Sequence, residues 1–359
     1  MRNTCDAEVV SGGDINCNLR GIHADFASFR SEHALLKAHL PRSDVNWEYY
    51  QAGPATDAEP IVFLHGTSGT AAMFFYQVRL LAAKGYRVIS AQYPAYDNPE
   101  EWCKGMDHFL DTLRCRAAHI FGAGLGGYLA QHFAGRYSHR VRSLILCNAF
   151  ASTKVFAATA GALISVVHIT PTALLRKVIW DSFPQAGLSL ESKQAIDFVA
   201  GQVNEISGTD LAGRLSLNST ESCAPPVNVE SDRITIMESS GETMVPDELR
   251  REVQRRYASS RVAELKSGGD FPFLSRPEEV ALFIEVHMRG VGLYGSGIAP
   301  ALNSGFSDDQ SRGRSNGGSS HWEPPRRQEN DTDVVVNTAS PAPEFKPKWK
   351  NPFEDDDLL

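Results

Sequence analysis

Paired cysteines, concentrated positive charge and a clean apolar span are all missing from this chain. Its six cysteines (Cys5, Cys17, Cys103, Cys115, Cys147, Cys223) form no C-x-x-C pair and no dense framework. That argues against a disulfide scaffold and for reduced thiols inside a cell. A formal net charge of −8, with no dense Lys/Arg run, excludes nucleic acid as an expected partner. Met1 to Asp6 holds no apolar h-region, so no secretory signal is expected, and Arg2 excludes N-myristoylation. Val155 to Leu175 is long enough to span a bilayer, but Thr, Ser, Gly161, His168 and Pro171 interrupt it. A lid helix buried on a core is the expectation there, not a transmembrane segment. What is present suits a soluble globular protein: 42% hydrophobic and 22% charged residues can build a real core. A length of 359 residues allows one large α/β domain or two smaller ones. No metal-ligand or cofactor pattern is read.

Residues 1–40 carry little periodicity and read as a weakly structured N-terminus. Trp47-Glu48-Tyr49-Tyr50 predicts an antiparallel strand ended by Ala52-Gly53-Pro54. Ile61-Val62-Phe63-Leu64 is short and continuously apolar, as a central parallel strand covered on both faces requires. A helix is predicted over 71–83, stopped by Gly85, then a strand over 86–90, a helix over 98–114 and a buried strand over 141–147. This alternation predicts a mostly parallel, doubly wound sheet with right-handed crossovers. Residues 151–226 break the rhythm with helical segments such as 173–183 and 191–201. They read as a helical cap inserted into a core built from 41–150 and 227–289. Strands over 233–237 and 262–265, with helices after Pro246 and over 277–287, complete that core. From 290 to 359 Gly, Ser, Asn, Pro and charge dominate, the composition of a disordered tail.

The sharpest motif is Gly122-Ala123-Gly124-Leu125-Gly126-Gly127, which follows the apolar run 117–121 and opens a helix carrying Leu129, Ala130, Phe133 and Ala134 on one face. Strand, small-x-nucleophile-x-small, helix is the elbow on which α/β-hydrolases raise a serine oxygen. Gly122, Gly126 and Gly127 supply the small residues that let helix and strand backbones approach. The nucleophile position is Gly124, which suits a positive φ but offers no oxygen to attack a carbonyl.

The other chemical positions follow in hydrolase order. Gly241-Glu242-Thr243-Met244-Val245-Pro246 resembles the acid turn, and Glu242 fits either that role or a surface loop. Asp270, in Gly268-Gly269-Asp270-Phe271-Pro272, stands where histidine is usual. An ordinary aspartate pKa of about 3.9 makes it a feeble proton acceptor, and a turn role, bonding nearby backbone N–H groups, suits it better. His65-Gly66-Thr67 looks like an oxyanion loop, with the backbone N–H groups of Thr67 and Leu125 as donors. Ser68 and Cys147 are the candidates for a displaced nucleophile, without an evident histidine partner. His132 reads as a helix residue and His65 as a prop for its loop.

Four segments together resemble the maspardin family, a eukaryotic branch of the α/β-hydrolase fold: 85–94, 143–148, Leu211-Ala212-Gly213-Arg214-Leu215-Ser216-Leu217-Asn218, and 266–272 with its non-histidine base position. Maspardins generally keep an elbow serine, so Gly124 is a departure. The resemblance, over roughly 40–290, implies a cytosolic binding protein recruited to endosomal and trans-Golgi membranes through protein contacts. Separately, Asn351-Pro352-Phe353 resembles an EH-domain ligand, and Glu354 with Leu358 and Leu359 resembles an acidic dileucine signal read by clathrin adaptors. The expectation is a catalytically inactive α/β-hydrolase-like adaptor that needs no cofactor. The alternatives are a weak esterase using Ser68 or Cys147 and a receptor for carbonyl ligands.

Overall fold

Each residue of β3 (Ile61–Leu64) is buried, as befits an inner strand covered on both faces. The structure, a computed structural model, describes residues 21–41, 46–54, 59–160, 163–184, 186–241 and 243–295. Before β3 come α1 (Ile22–Glu32), β1 (Leu36–His39) and β2 (Asn46–Ala52). After it come α2 (Phe75–Ala83), β4 (Val88–Gln92), α3 (Pro99–Thr112), β5 (Ala118–Ala123), α4 (Leu125–Arg136) and β6 (Val141–Cys147). A run of helices follows: α5 (Lys154–Ala160), α6 (Leu163–Val166), α7 (Thr172–Asp181), α8 (Leu190–Glu205) and α9 (Gly208–Ser219). The sheet resumes with β7 (Ile234–Ser239), α10 (Asp247–Arg256) and β8 (Arg261–Leu265), then α11 (Pro272–Ser275) and α12 (Pro277–Gly290).

Eight strands lie in the order β1-β2-β4-β3-β5-β6-β7-β8, with β1 and β2 antiparallel to their neighbours and the rest parallel. The chain leaves β3 for β4 on one side and returns to β5 on the other. That reversal places the loops after β3 and β5 side by side at the carboxyl ends of the strands, where open α/β sheets bind ligands. One face of the sheet packs Phe63 and Phe121 with Phe74, Phe75 and Phe273, and with Phe198 and Leu211 of the inserted helices. The other packs Trp47, Trp102, Phe109 and Phe133. Helix starts follow local chemistry: Asn98 accepts Glu101 N–H at 2.9 Å ahead of Pro99, while Ser189 and Ser207 cap α8 and α9.

Three expectations are corrected. Residues 1–40, expected to be weakly structured, hold α1 and β1 over 22–39; α1 buries Ile22, Phe26 and Phe29, and Asp25 accepts the Tyr76 hydroxyl at 2.5 Å. The strand expected over 86–90 lies two residues later, because Gly85 (φ +84°) and Tyr86 close α2, with Tyr86 N–H donating to Leu81 O at 3.1 Å. Val155–Leu175 is not one buried lid helix. It divides into α5, α6, a 3-10 turn (Val167–Ile169) and the start of α7, which opens after Pro171, a residue that cannot sit inside a helix. Ile169 there is 83% exposed, and no helix among the described residues is long and apolar enough to cross a membrane.

Candidate functional site

Gly124 joins β5 to α4 with φ +50° and ψ −116°, a conformation that costs a side chain strain and glycine almost nothing. Its N–H donates to Cys147 O at 3.0 Å, and its carbonyl accepts from Gly127 and Tyr128 N–H, so both sides of the turn are pinned. A Cβ on Gly122 would lie 2.6 Å from the Gly127 backbone, and one on Gly126 would lie 2.2 Å from Leu64 O. On Gly127 it would meet Ala149 Cβ at 2.6 Å. These three glycines answer to close backbone packing. At Gly124 no atom lies within 4 Å of where a Cβ would stand. The elbow therefore presents its central position to open space, with hydrogen as its side chain.

The oxyanion-like loop after β3 rests on that elbow: a Cβ on Gly66 would sit 3.4 Å from Ala123 O and 4.0 Å from Leu125 N. Gly66 O accepts Gly69 N–H at 3.1 Å and lies 2.8 Å from His65 Nδ1, which therefore carries the proton as donor. Because the peptide is planar and trans, the Thr67 N–H of the same unit points the opposite way and is polarised by those bonds. Neither Thr67 N–H nor Leu125 N–H has a partner among the described residues, and Leu125 stands at the positive end of α4. His65 is fully buried against Tyr93, ring centroids 4.3 Å apart; burial and then Arg214 hold its pKa well below the usual imidazole range. It stays neutral.

Arg214, from α9, reaches the underside of this loop. Its Nη1 donates to Gly69 O at 2.6 Å and to Thr67 O at 3.5 Å, and its guanidinium lies 5.4 Å from the Tyr93 ring centre. It is fully buried, and Nε and Nη2 have no partner among the described residues. Burial lowers its pKa from the usual arginine value. The sequence offered one unused signal: a single charge inside the apolar pattern of Leu211, Ala212, Leu215 and Leu217.

At the base position, Asp270 Oδ1 accepts Met244 N–H from the acid turn at 2.6 Å, while Oδ2 is shielded from solvent without a partner. The expectation of an ordinary, weakly basic aspartate is corrected. Burial raises its pKa to about 7, against the lowering effect of the Met244 bond and Arg250. Its carboxyl faces an N–H and not a hydroxyl nucleophile. Asn148 (φ +42°) braces the same region, donating through Nδ2 to Ser239 Oγ and Gly269 O at 2.9 Å each. Sequence reasoning missed that brace; asparagine's tolerance of the left-handed region was its only signal. Glu242 and the tail residues Asn351, Pro352, Phe353, Glu354, Leu358 and Leu359 lie outside the described residues.

The displaced nucleophiles are poorly served. Ser68 is buried with no histidine hydrogen-bonded to it among the described residues. Burial, then Glu238 and Asp270, raises the Cys147 thiol pKa far above the usual range, so the thiolate is disfavoured. His132 is buried on α4, its Nδ1 2.8 Å from Arg136 Nη1 and its pKa lowered to about 3 by burial.

A model of the Alpha/beta hydrolase family matches residues 61–281. Maspardin of Danio rerio is 38% identical over 271 residues, covering 75% of this chain and 86% of that protein. Maspardin of Mus musculus is 36% identical over 298 residues, covering 82% of this chain and 96% of that one. The crystal structure of the enol-lactonase from Burkholderia xenovorans LB400 matches with a TM-score of 0.59 at 15% identity, over 71% of this chain and 100% of that chain, which speaks for the fold alone.

Proposed function

The chain belongs to the maspardin family of the α/β-hydrolase fold, and from that premise we propose that it acts by binding and not by hydrolysis, as an adaptor in endosomal and trans-Golgi trafficking. The observation that carries the reading is the elbow. A φ of +50°, which would strain any side chain, is found at residue 124, and no side chain is there to use it. Asp270 adds to it: the residue at the base position bonds Met244 N–H across to the acid turn. Losing the nucleophile of a triad commonly costs about a million-fold in kcat. Turnover from the remaining donors is then biologically negligible.

In this reading residues 151–226 form the partner-facing cap, and the tail from 290 carries the EH-type and dileucine-type signals at Asn351–Phe353 and Glu354–Leu359. Recruitment to membranes is peripheral and runs through those partners. The esterase alternative has less support, because Ser68 has no imidazole bonded to it among the described residues and burial disfavours the Cys147 thiolate. Fluorophosphonate labelling of the pure protein tests the choice. No labelling is expected; a modified Ser68, mapped by mass spectrometry and blocked by a small ester, would replace this reading with the esterase.

A further inference from the structure

We propose that the edge of the sheet opposite the elbow is a docking surface for an anionic membrane, where a row of arginines meets phosphatidylserine headgroups. The inference does not depend on the elbow. It adds a direct lipid contact to the partner-borne recruitment proposed above.

Parallel strands all begin at the same edge of their sheet, so a charge placed just before each strand becomes part of one row. This chain repeats arginine at that place: Arg87 before β4, Arg116 before β5, Arg140 and Arg142 around the start of β6, Arg233 before β7 and Arg261 opening β8. The pairing registers set those starts side by side, with Val88 and His119 both opposite Ile61, and Ala118 opposite Val141. From β4 to β8 the row crosses five strand spacings, about 24 Å.

Local acids neutralise part of the row. Arg140 pairs with Asp107 and Asp111 at 3.0 and 2.9 Å, Arg142 with Glu59 at 2.6 Å, and Arg233 with Glu230 at 3.1 Å. Arg87, Arg114, Arg116 and Arg261 have no acid within salt-bridge distance among the described residues. The turn from α3 to β5 gathers these charges most closely. Arg87 Nη2 donates to Leu113 O at 3.2 Å and Arg140 Nη2 to Cys115 O at 3.1 Å, while Arg114 and Arg116 beside them are exposed. On a chain of formal net charge −8, this edge reverses the prevailing sign. A guanidinium fork matches phosphate and carboxylate oxygens, and a phosphatidylserine headgroup carries both.

Apolar side chains accompany the charge. Val262, next to Arg261, is 50% exposed, and Tyr294, four residues past the end of α12, is 45% exposed. A Cβ on Gly295 would lie 1.7 Å from Lys84 O, which places Tyr294 beside the loop into β4, at this same edge. Tyrosine settles at headgroup level, and an exposed valine gains from the acyl boundary beneath it. The backbone of a nucleic acid offers that valine nothing.

The test is flotation of the purified full-length protein, without partner proteins, on vesicles of phosphatidylcholine alone and of an equal mixture with phosphatidylserine. Binding should be at least about tenfold stronger on the mixture and vanish at about 1 M salt. Arg114→Gly with Arg116→Gln should lower it by about tenfold or more. Arg114 holds φ +54°, which glycine adopts freely, so the melting temperature should hold and lost binding is not lost fold. Lys154→Gln with Lys193→Gln removes two exposed cations from the inserted helices and should leave binding unchanged. Equal flotation on both vesicles, or equal loss in both double variants, would overturn the surface. Tighter retention on single-stranded RNA than on the mixed vesicles would overturn lipid as its partner. Because no partner protein is present, either failure leaves the adaptor proposal standing.

Discussion

At residue 126 an added methyl would stand 2.2 Å from Leu64 O, and at residue 124 it would touch nothing within 4 Å. Two glycines in one motif thus exist for different reasons, and substitution separates them. Gly126→Ala should destabilise by about 3 kcal/mol or more, since backbone must move. Gly124→Ala should cost only the positive-φ penalty, about 1–2 kcal/mol. Urea unfolding of both variants checks this; equal losses would mean that the elbow is packed differently from the description given. The sequence disclosed the glycines and the missing side chain, because small-x-small spacing is local. It did not disclose the state of Asp270. An aspartate titrating near 7 depends on burial that outweighs the lowering bond from Met244, a residue 26 positions away, and neither is encoded around Asp270 itself.

Among elements, the strands of the parallel sheet and α12 are joined by a buried polar chain unrelated to the elbow. His119 Nδ1 lies 2.7 Å from Ser143 Oγ, which lies 2.8 Å from His287 Nε2, and His287 Nδ1 lies 2.8 Å from Thr235 Oγ1. Burial lowers His119 to about 4 and His287 to about 3, the second with help from its neighbour His119 and from Arg261. The unfolded chain protonates these rings near pH 6.5, whereas the folded chain keeps them neutral to much lower pH. Their contribution is therefore whole above pH 6.5 and is lost as pH falls toward 4 and 3, by up to about 2 kcal/mol per ring at pH 5. Urea unfolding at pH 7.5 and pH 5 should show that loss, and His287→Asn should shrink it. A flat profile in the unaltered protein would contradict the neutral, buried pair. Periodicity revealed β3, β6, α3 and α12, whose apolar faces are regular. It missed α1, which starts at Gly21 with no side-chain cap, although Ile22, Phe26 and Phe29 are buried.

For the whole molecule, the fold class was legible because βα alternation and the elbow motif are both short-range patterns, and the family because segments such as 211–218 and 266–272 are contiguous in sequence. The coupling of the inserted helices to the site was not, since Arg214 meets Gly69 across 145 positions. The proposed division of labour, with a folded body and a signal-bearing tail, makes its own prediction. A peptide of residues 340–359 should retain EH-domain or clathrin-adaptor proteins in pulldown, with Phe353→Ala and Leu358→Ala each removing its own class of partner. Retention unchanged by both would remove the sorting-signal proposal. The central proposal concerns chemistry: an α/β-hydrolase fold that acts without hydrolysis. The most direct measurement is hydrolysis of a short p-nitrophenyl ester by the unaltered protein beside Gly124→Val and the double variant Gly124→Ser with Asp270→His. The account predicts no difference between the first two and new turnover, at least about a hundredfold above them, in the double variant. Turnover by the unaltered protein that Gly124→Val abolishes would contradict it.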